Sequence, residues 1–146
     1  MALEQLLVVV IDPNVFVSAF VSRVGLPYAI YLAWSRRGFE LIVSPALLTE
    51  LREVLLRSKF RRYGSEADVE AYLARFRYAR LVDDPPSERI VPSDPDDDYL
   101  MALGRRVRAD YVVSGDRHLT ELRNPRPVVL RPRAFFELLE GEGTPR

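Results

Sequence analysis

The fold of this chain is decided by an apolar run that ends in an acid, Leu6-Leu7-Val8-Val9-Val10-Ile11-Asp12. The apolar residues are mostly β-branched, and no polar side chain interrupts them. A run of this kind predicts a strand that is buried on both faces, as in a parallel sheet with helices on either side. Further strands are predicted at residues 40–43, 111–113 and 127–130.

Helical segments alternate with these strands. They are predicted at residues 15–21, 26–37, 66–80 and 133–140, with a loop or short edge strand at residues 81–93. Two more helices open with an N-cap followed by proline, at Ser44-Pro45 and at Asp94-Pro95. The alternation predicts an α/β fold with a mainly parallel sheet. We expect a single domain over residues 1–140 and a flexible tail at residues 141–146.

Charge balance and residue usage exclude several classes of protein. The chain has 21 acidic and 21 basic residues, so it is not a globally basic nucleic-acid binder, although local basic patches remain open. It has no cysteine, which excludes disulfides, zinc–thiolate sites and thiol nucleophiles. No basic residue precedes the short apolar run, so neither a signal peptide nor a membrane span is expected, and a cytoplasmic location is.

Acidic residues stand where predicted strands end or helices begin: Asp12, Glu50, Asp97 and Asp116. The carboxyl ends of parallel strands share one edge of the sheet, and ligands bind there. Carboxylates gathered at that edge repel one another unless a cation lies between them, and such an oxygen-rich cluster suits Mg²⁺ or Mn²⁺. Without metal, the repulsion should destabilise the protein, so Asp12→Asn is expected to raise the melting temperature of the metal-free form.

Each acid also has an ordinary structural interpretation. Asp12 could shape the turn after a strand, and residues 114–116 could form another turn. Glu50 could be an exposed helix residue. The acids between residues 94 and 98 crowd a helix N-terminus, where carboxylates are favoured in any case. His118 is the only histidine, so a structural role is favoured over a catalytic triad, and no phosphate-binding glycine motif occurs.

Taken together, four segments resemble the motifs of the PIN-domain family, in that family's order and spacing. They are residues 10–19, 44–51, 94–102 and 112–119. The likeness covers nearly the whole chain, and the most similar subgroup is the small prokaryotic proteins grouped as toxin components of toxin–antitoxin pairs, related to VapC-type toxins. The resemblance implies a three-layer α/β/α fold, a nuclease site that uses Mg²⁺ or Mn²⁺, RNA as substrate, a small antitoxin protein as partner, and a homodimer or higher homo-oligomer.

The resemblance also assigns roles by position. Its catalytic and metal-binding acids fall on Asp12, Glu50, Asp97 and Asp116. Asp98 competes with Asp97 for the third position, and Asp97 is preferred because the family's small residues then fall on Ala102 and Gly104. Asn14 and Ser114 match polar positions expected to hydrogen-bond the carboxylates. Gly104 replaces a usual alanine, which is expected to weaken its helix by about 1 kcal/mol.

A basic stretch follows Glu50 and comprises Arg52, Arg57, Lys59, Arg61 and Arg62. It is either a solvated helix surface or a groove that contacts the phosphates of RNA, and both interpretations stay open. The aromatic residues Tyr28, Tyr31 and Trp34 belong either to the core or to a contact with a second copy or an antitoxin.

Three functions compete at this point. A metal-dependent ribonuclease that acts as a toxin agrees best with the four motifs. A non-catalytic RNA-binding or scaffolding domain of the same family is the alternative, although all four acidic positions are filled. An aspartyl-phosphate protein fits poorly, because residues 12–14 do not read Asp-x-Asp and the only lysine is Lys59.

Overall fold

The computed structural model describes residues 5–86 and 98–142. Its strands form one parallel sheet in the order β3-β2-β1-β4-β5. The strands are β1 (Val8–Ile11), β2 (Glu40–Val43), β3 (Arg80–Leu81), β4 (Tyr111–Val113) and β5 (Val128–Leu130). The helices are α1 (Pro13–Val21), α2 (Leu26–Ser35), α3 (Pro45–Leu55), α4 (Glu66–Ala74), α5 (Asp98–Arg106), α6 (Arg117–Thr120) and α7 (Pro132–Glu142). Short 3-10 helices at Ser58–Phe60 and Arg75–Tyr78 follow α3 and α4.

The order of the strands reverses between β1 and β4. From β1 the chain steps to β2 and β3 on one side, and it then crosses to β4 and β5 on the other. Because crossovers between parallel strands are right-handed, the helices of the two halves lie on opposite faces of the sheet. One face is covered by α1, α3 and α4, which pack in series, and the other by α5, which contacts β1 and β4. This is the expected three-layer α/β/α fold, with a topological switch point between β1 and β4.

The central strand β1 confirms the prediction from its sequence. Val9, Val10 and Ile11 are completely buried. Aromatic rings fill the adjoining core, where Phe76 packs edge-on against Phe16 at 5.0 Å and stacks on Trp34 at 5.1 Å between ring centroids. Trp34 and Tyr31 are each only 8% exposed, so this part of the aromatic group belongs to the core.

Helix α3 begins at the predicted N-cap and proline. The Ser44 hydroxyl accepts a hydrogen bond of 3.2 Å from the backbone N–H of Leu47, and Pro45 occupies the first turn. A carboxylate from the segment after β3 adds a second cap, because Asp84 accepts a bond of 2.9 Å from the backbone N–H of Ala46. Two of the donors that the first turn of a helix leaves unpaired are thereby satisfied.

Several boundaries differ from the predictions. The helix predicted at residues 66–80 is an α-helix only to Ala74 and continues as a 3-10 helix over Arg75–Tyr78, after which Arg80 and Leu81 pair with β2 as an edge strand. Helix α1 begins at Pro13, two residues earlier than predicted, since Asp12 rather than Asn14 caps it. The short helix α6 was not predicted, and α7 continues to Glu142, two residues beyond the predicted end of the domain. The predicted helix start at Asp94-Pro95 lies outside the described residues.

Gly104 lies where helix α5 packs closely against the sheet, a role that helix propensity alone does not predict. A Cβ atom at this position would lie 2.9 Å from Cγ of Pro127 and 3.0 Å from Cγ2 of Val112. These separations are shorter than van der Waals contact, so the missing side chain lets α5 approach β4 closely. The expected weakening of the helix is therefore offset by tighter packing of α5 on the sheet.

Helices α1 and α2 meet at a bend of 104°. Gly25, which precedes α2, has φ 108°, a conformation that residues with a side chain rarely adopt. Within residues 5–86 and 98–142, no single helix is long and apolar enough to cross a membrane, although this bent pair would together meet the criteria of length and composition.

Candidate functional site

The acids after β1 and β4 lie side by side at the carboxyl edge of the sheet. Ile11 of β1 is paired with Val113 of β4, and the backbone N–H of Asp12 donates to the Val113 carbonyl at 2.8 Å. The next residues along each strand are therefore Asp12 and Ser114, at the switch point where α/β proteins bind ligands. The sheet register brings together two motifs that are about a hundred residues apart in the chain.

The Ser114 hydroxyl joins the two acidic residues. It donates a hydrogen bond of 2.8 Å to Oδ2 of Asp12, and it accepts one of 3.0 Å from the backbone N–H of Asp116. Ser114 is fully buried and Asp12 is 4% exposed, so water does not compete effectively for these bonds. Ser114 thus contacts the carboxylate of Asp12 and the backbone of Asp116.

Both carboxylates also cap helices, as the structural interpretation of the sequence suggested. Oδ1 of Asp12 accepts from the backbone N–H of Asn14 at 2.9 Å, at the start of α1. Oδ1 of Asp116 accepts from the backbone N–H of His118 at 2.9 Å, at the start of α6. Capping orients each carboxylate and places it near the positive end of the helix dipole. Asn14 donates to Asp12 through its backbone N–H, whereas the sequence suggested a hydrogen bond from the Asn14 side chain.

Glu50 is hydrogen-bonded by Tyr99, a residue on the other face of the sheet that the sequence did not single out. The Tyr99 hydroxyl, in the first turn of α5, donates a hydrogen bond of 3.0 Å to Oε1 of the Glu50 carboxylate on α3. Both side chains are partly buried. The bond joins helices from the two faces of the sheet. The one available signal in the sequence is that Tyr99 directly follows the acidic run at residues 96–98.

The third acidic position cannot be compared with its prediction. Asp97 lies outside the described residues, and of Asp98 only the helical backbone is described. Within the described part of the chain, no three His, Cys, Asp or Glu side chains form a group that could hold a metal ion. The donors that the edge of the sheet does offer are carboxylate and hydroxyl oxygens from Asp12, Ser114 and Asp116, and this chemistry fits Mg²⁺ or Mn²⁺ rather than softer metals.

The basic stretch divides into two groups. Arg52 forms an ion pair with Glu70 of α4, and Arg61 donates from Nη2 to the Leu55 carbonyl at the end of α3. The remaining members, Arg57, Lys59 and Arg62, are exposed. Lys59 lies 5.2 Å from the ring centroid of the buried Phe60, and Arg62 lies 5.1 Å from that of Tyr63, which is exposed on this surface.

A PIN domain family model matches residues 8–118 of the chain. The chain belongs to the PIN domain family. The uncharacterized protein MJ1680 of Methanocaldococcus jannaschii is similar to it, with 30% identity over 117 residues, which cover 80% of this chain and 75% of that protein. The crystal structure of PAE2754 from Pyrobaculum aerophilum has a similar fold, with a TM-score of 0.65 at 16% identity, over 93% of this chain and 96% of that one.

Membership of the family bears on the chemistry of the site. PIN domains are generally nucleases, and PIN nucleases generally use divalent metal ions. The matched range contains Asp12, Glu50, Ser114 and Asp116, so the PIN domain includes every described residue of the candidate site. The relative in Methanocaldococcus jannaschii has no characterised activity to transfer, and the substrate must be argued from this chain's own residues.

Proposed function

We propose that this PIN domain is a Mg²⁺- or Mn²⁺-dependent endoribonuclease whose metal is held at the carboxyl edge of β1 and β4. The single observation that carries the proposal is the shared hydroxyl of Ser114, which donates to Asp12 and accepts from the backbone of Asp116. Carboxylate and hydroxyl oxygens gathered in this way are the ligands that Mg²⁺ and Mn²⁺ prefer.

Each residue of the candidate site has a separate role in this proposal. Asp12 and Asp116 would hold the ion, and Asp97, with Asp98 as the alternative, would complete the set from the start of α5. When bound, a divalent ion neutralises the phosphodiester and lowers the pKa of a coordinated water. In this proposal Ser114 would keep the two aspartates in register, and Tyr99 would hold Glu50 towards the site, where its carboxylate would accept a proton from the attacking water.

The substrate is proposed to reach the acids along the exposed part of the basic stretch, defined by Arg57, Lys59 and Arg62. Arg57 follows the end of α3 at Leu55, which lies five residues beyond Glu50, or about 8 Å along the helix at 1.5 Å per residue. A short single strand of RNA would span this separation with its phosphates on the cations and a base on the exposed ring of Tyr63. Arg52 and Arg61 are less suited to phosphate contact, because their guanidinium groups already bind protein oxygens.

The role in the cell is a further part of the proposal. The motif pattern resembles that of VapC-type toxins, so we propose a cytoplasmic toxin that is restrained by a small antitoxin protein, acting as a homodimer or higher homo-oligomer. Expression of the chain alone should then arrest growth of a bacterial host. Glu50→Gln should relieve the arrest. Glu53→Gln, which alters an exposed residue of the same helix, should not relieve it.

Activity is tested with purified protein and a mixed pool of RNA. We expect cleavage with Mn²⁺ or Mg²⁺ and none after chelation with EDTA. Asp12→Asn, Glu50→Gln and Asp116→Asn should each abolish most of the turnover, whereas Asp83→Asn and Glu53→Gln, which alter exposed acids elsewhere, should not. Cleavage that persists in EDTA would overturn the metal mechanism. Binding of RNA without cleavage under any metal condition would identify the alternative, a non-catalytic RNA-binding or scaffolding PIN domain.

The path of the RNA is tested separately by its salt dependence. Replacing Arg57, Lys59 and Arg62 with glutamate should weaken RNA binding. Each lost phosphate contact should also lower the slope of log affinity against log salt by about 0.7. Arg106→Glu, which reverses an exposed charge on α5, serves as the matched control. An unchanged slope in the triple variant would show that RNA binds elsewhere on the protein.

A further inference from the structure

A cavity opens at the amino end of the sheet, away from the acids. Its walls include Leu6 before β1, Glu40 at the start of β2 and Arg80 at the start of β3. Since all strands run parallel, these residues lie at the edge opposite to Asp12 and Ser114. The cavity measures about 720 Å³, which is within the range of pockets that hold small molecules.

One wall of the cavity is aromatic and rigidly packed. Tyr31 and Trp34 line it while remaining only 8% exposed, and their ring centroids are 5.9 Å apart. Trp34 also stacks on Phe76, and this contact restricts the orientation of the Trp34 ring. Tyr78 also lines the cavity, with 72% of its surface exposed. The guanidinium of Arg77 lies over its ring at 4.9 Å from the centroid, so a planar group would stack on the opposite face.

The rest of the lining carries a net positive charge. It includes Arg37, Arg75 and Arg80, with Glu40 as the one carboxylate. Arg80 and Glu40 form an ion pair at 3.6 Å, which leaves two arginines in excess. Neither Arg37 nor Arg75 forms an ion pair with any residue in the two described ranges. The guanidinium of Arg75 lies close enough to Tyr31 to lower the pKa of its hydroxyl, although burial raises that pKa more strongly.

We propose that this cavity binds a nucleotide, with its phosphate between Arg37 and Arg75 and its base against Tyr78 and the edge of Trp34. Guanidinium groups form paired hydrogen bonds with phosphate oxygens, and aromatic rings accept the face of any base. The ligand is either a free nucleoside monophosphate or the terminal nucleotide of an RNA strand. The site does not depend on the proposed nuclease activity, because none of its residues belongs to the acidic edge.

The chain offers a direct probe, because Trp34 is its only tryptophan. The full chain in EDTA is titrated with adenosine monophosphate and guanosine monophosphate while tryptophan fluorescence is followed. Adenosine alone and inorganic phosphate are titrated in parallel. We expect a saturable change with the monophosphates, and at least about tenfold weaker binding of the two fragments, because adenosine lacks the charge-assisted hydrogen bonds and inorganic phosphate lacks the stacked base. A phosphorylated dinucleotide that binds more tightly than the monophosphate would assign the site to an RNA end, and equal or weaker binding to a free nucleotide.

Variants separate this site from a non-specific effect. Arg75→Gln and Arg37→Gln should each weaken nucleotide binding by about tenfold. Arg36→Gln, which alters an exposed arginine outside the lining, should leave it unchanged. Tyr78→Leu should weaken binding of the monophosphates more than that of inorganic phosphate. The proposal is overturned if equilibrium dialysis and fluorescence both detect no saturable binding of the monophosphates, if inorganic phosphate binds as tightly as they do, or if both arginine variants bind like wild type.

Discussion

The hydroxyl of Ser114 lies 2.8 Å from Oδ2 of Asp12, although 102 residues separate the two in the chain. The same oxygen accepts the backbone N–H of Asp116, so a single buried atom sets the relative position of two acids on neighbouring strands. A serine in this position therefore determines the geometry of the site without being one of its acids.

Ser114→Ala should damage both stability and activity. The change leaves a buried oxygen of Asp12 and the backbone N–H of Asp116 without their partner, which costs about 1–3 kcal/mol for a buried unsatisfied group. Urea unfolding measures the loss, and cleavage of RNA measures the misplacement of the acids. Ser114→Thr keeps the hydroxyl and should retain most of the activity. Wild-type stability and turnover in Ser114→Ala would show that Ser114 does not orient the acids.

Asp12→Asn should lower the melting temperature of the metal-free protein. The sequence alone suggested the opposite sign, because it revealed only the mutual repulsion of the acids. In the structure, the Asp12 carboxylate accepts hydrogen bonds from the backbone N–H of Asn14 and from the hydroxyl of Ser114. In the variant, an amide N–H₂ group that faced Ser114 would meet a hydroxyl oxygen that already accepts from the backbone N–H of Asp116. Hydrogen bonds to a charged group contribute about 1.5–3 kcal/mol each, which we expect to exceed the relief of repulsion. Mn²⁺ should raise the melting temperature of wild type and not of the variant. A higher melting temperature for metal-free Asp12→Asn would restore the repulsion argument.

Gly104→Ala should destabilise the protein despite the better helix propensity of alanine. The gain in propensity is about 1 kcal/mol, whereas overpacking of a filled core costs about 1–3 kcal/mol. The new methyl group would lie 2.9 Å from Pro127 and 3.0 Å from Val112. Thermal melting measures the net effect. Gly115→Ala is the control, since nothing lies within 4 Å of its added Cβ atom. A more stable Gly104→Ala protein would mean that α5 can move away from the sheet at little cost.

Tyr99→Phe should separate the support of Glu50 from the general packing of α5. The ring is retained and the 3.0 Å hydrogen bond to Glu50 is lost. We expect a stability change near 1 kcal/mol, typical of a single hydrogen bond, together with a clear fall in the rate of RNA cleavage. Tyr111→Phe, on β4, is the matched control. If both variants cleave RNA at the wild-type rate, Tyr99 does not position Glu50 for catalysis.

The capping box of α4 should make part of the stability depend on pH. The Ser65 hydroxyl accepts from the backbone N–H of Asp68, and the Asp68 carboxylate accepts from the backbone N–H of Ser65. Hydrogen bonding of the Asp68 carboxylate to the backbone and then to the side chain of Ser65 lowers the pKa of Asp68, with smaller contributions from Arg23 and Arg61. A lowered folded-state pKa means that the stabilisation is complete above the pKa of the unfolded aspartate and is lost as pH falls through the folded value. The difference in melting temperature between wild type and Asp68→Ala should therefore shrink in acid. Glu66→Ala, in the same turn, should show little such dependence.

Local patterns were enough to predict the architecture. The uninterrupted apolar run of β1 and the serine–proline pair at residues 44 and 45 each act within a few residues, through burial of a strand and capping of a helix. For the same reason Asp12 and Asp116 were recognisable as residues at strand ends. The helix predicted at residues 66–80 overlaps the edge strand at residue 80, because the pairing of residues 80 and 81 with β2 is a contact that helical periodicity does not specify.

The tertiary structure decided which side chains contact one another. The bond between Tyr99 and Glu50 joins residues 49 positions apart, and only the packing of α5 and α3 brings them together. The inward turn of Arg61 towards Leu55 and the lack of room beside Gly104 likewise depend on neighbours that helical or strand periodicity does not specify. The sequence by itself determined the elements and their apolar faces, since these follow from interactions between near neighbours. The partners of Asp12, Glu50 and Gly104 were determined by the register of the sheet and the approach of the helices, which arise only when distant segments pack in three dimensions.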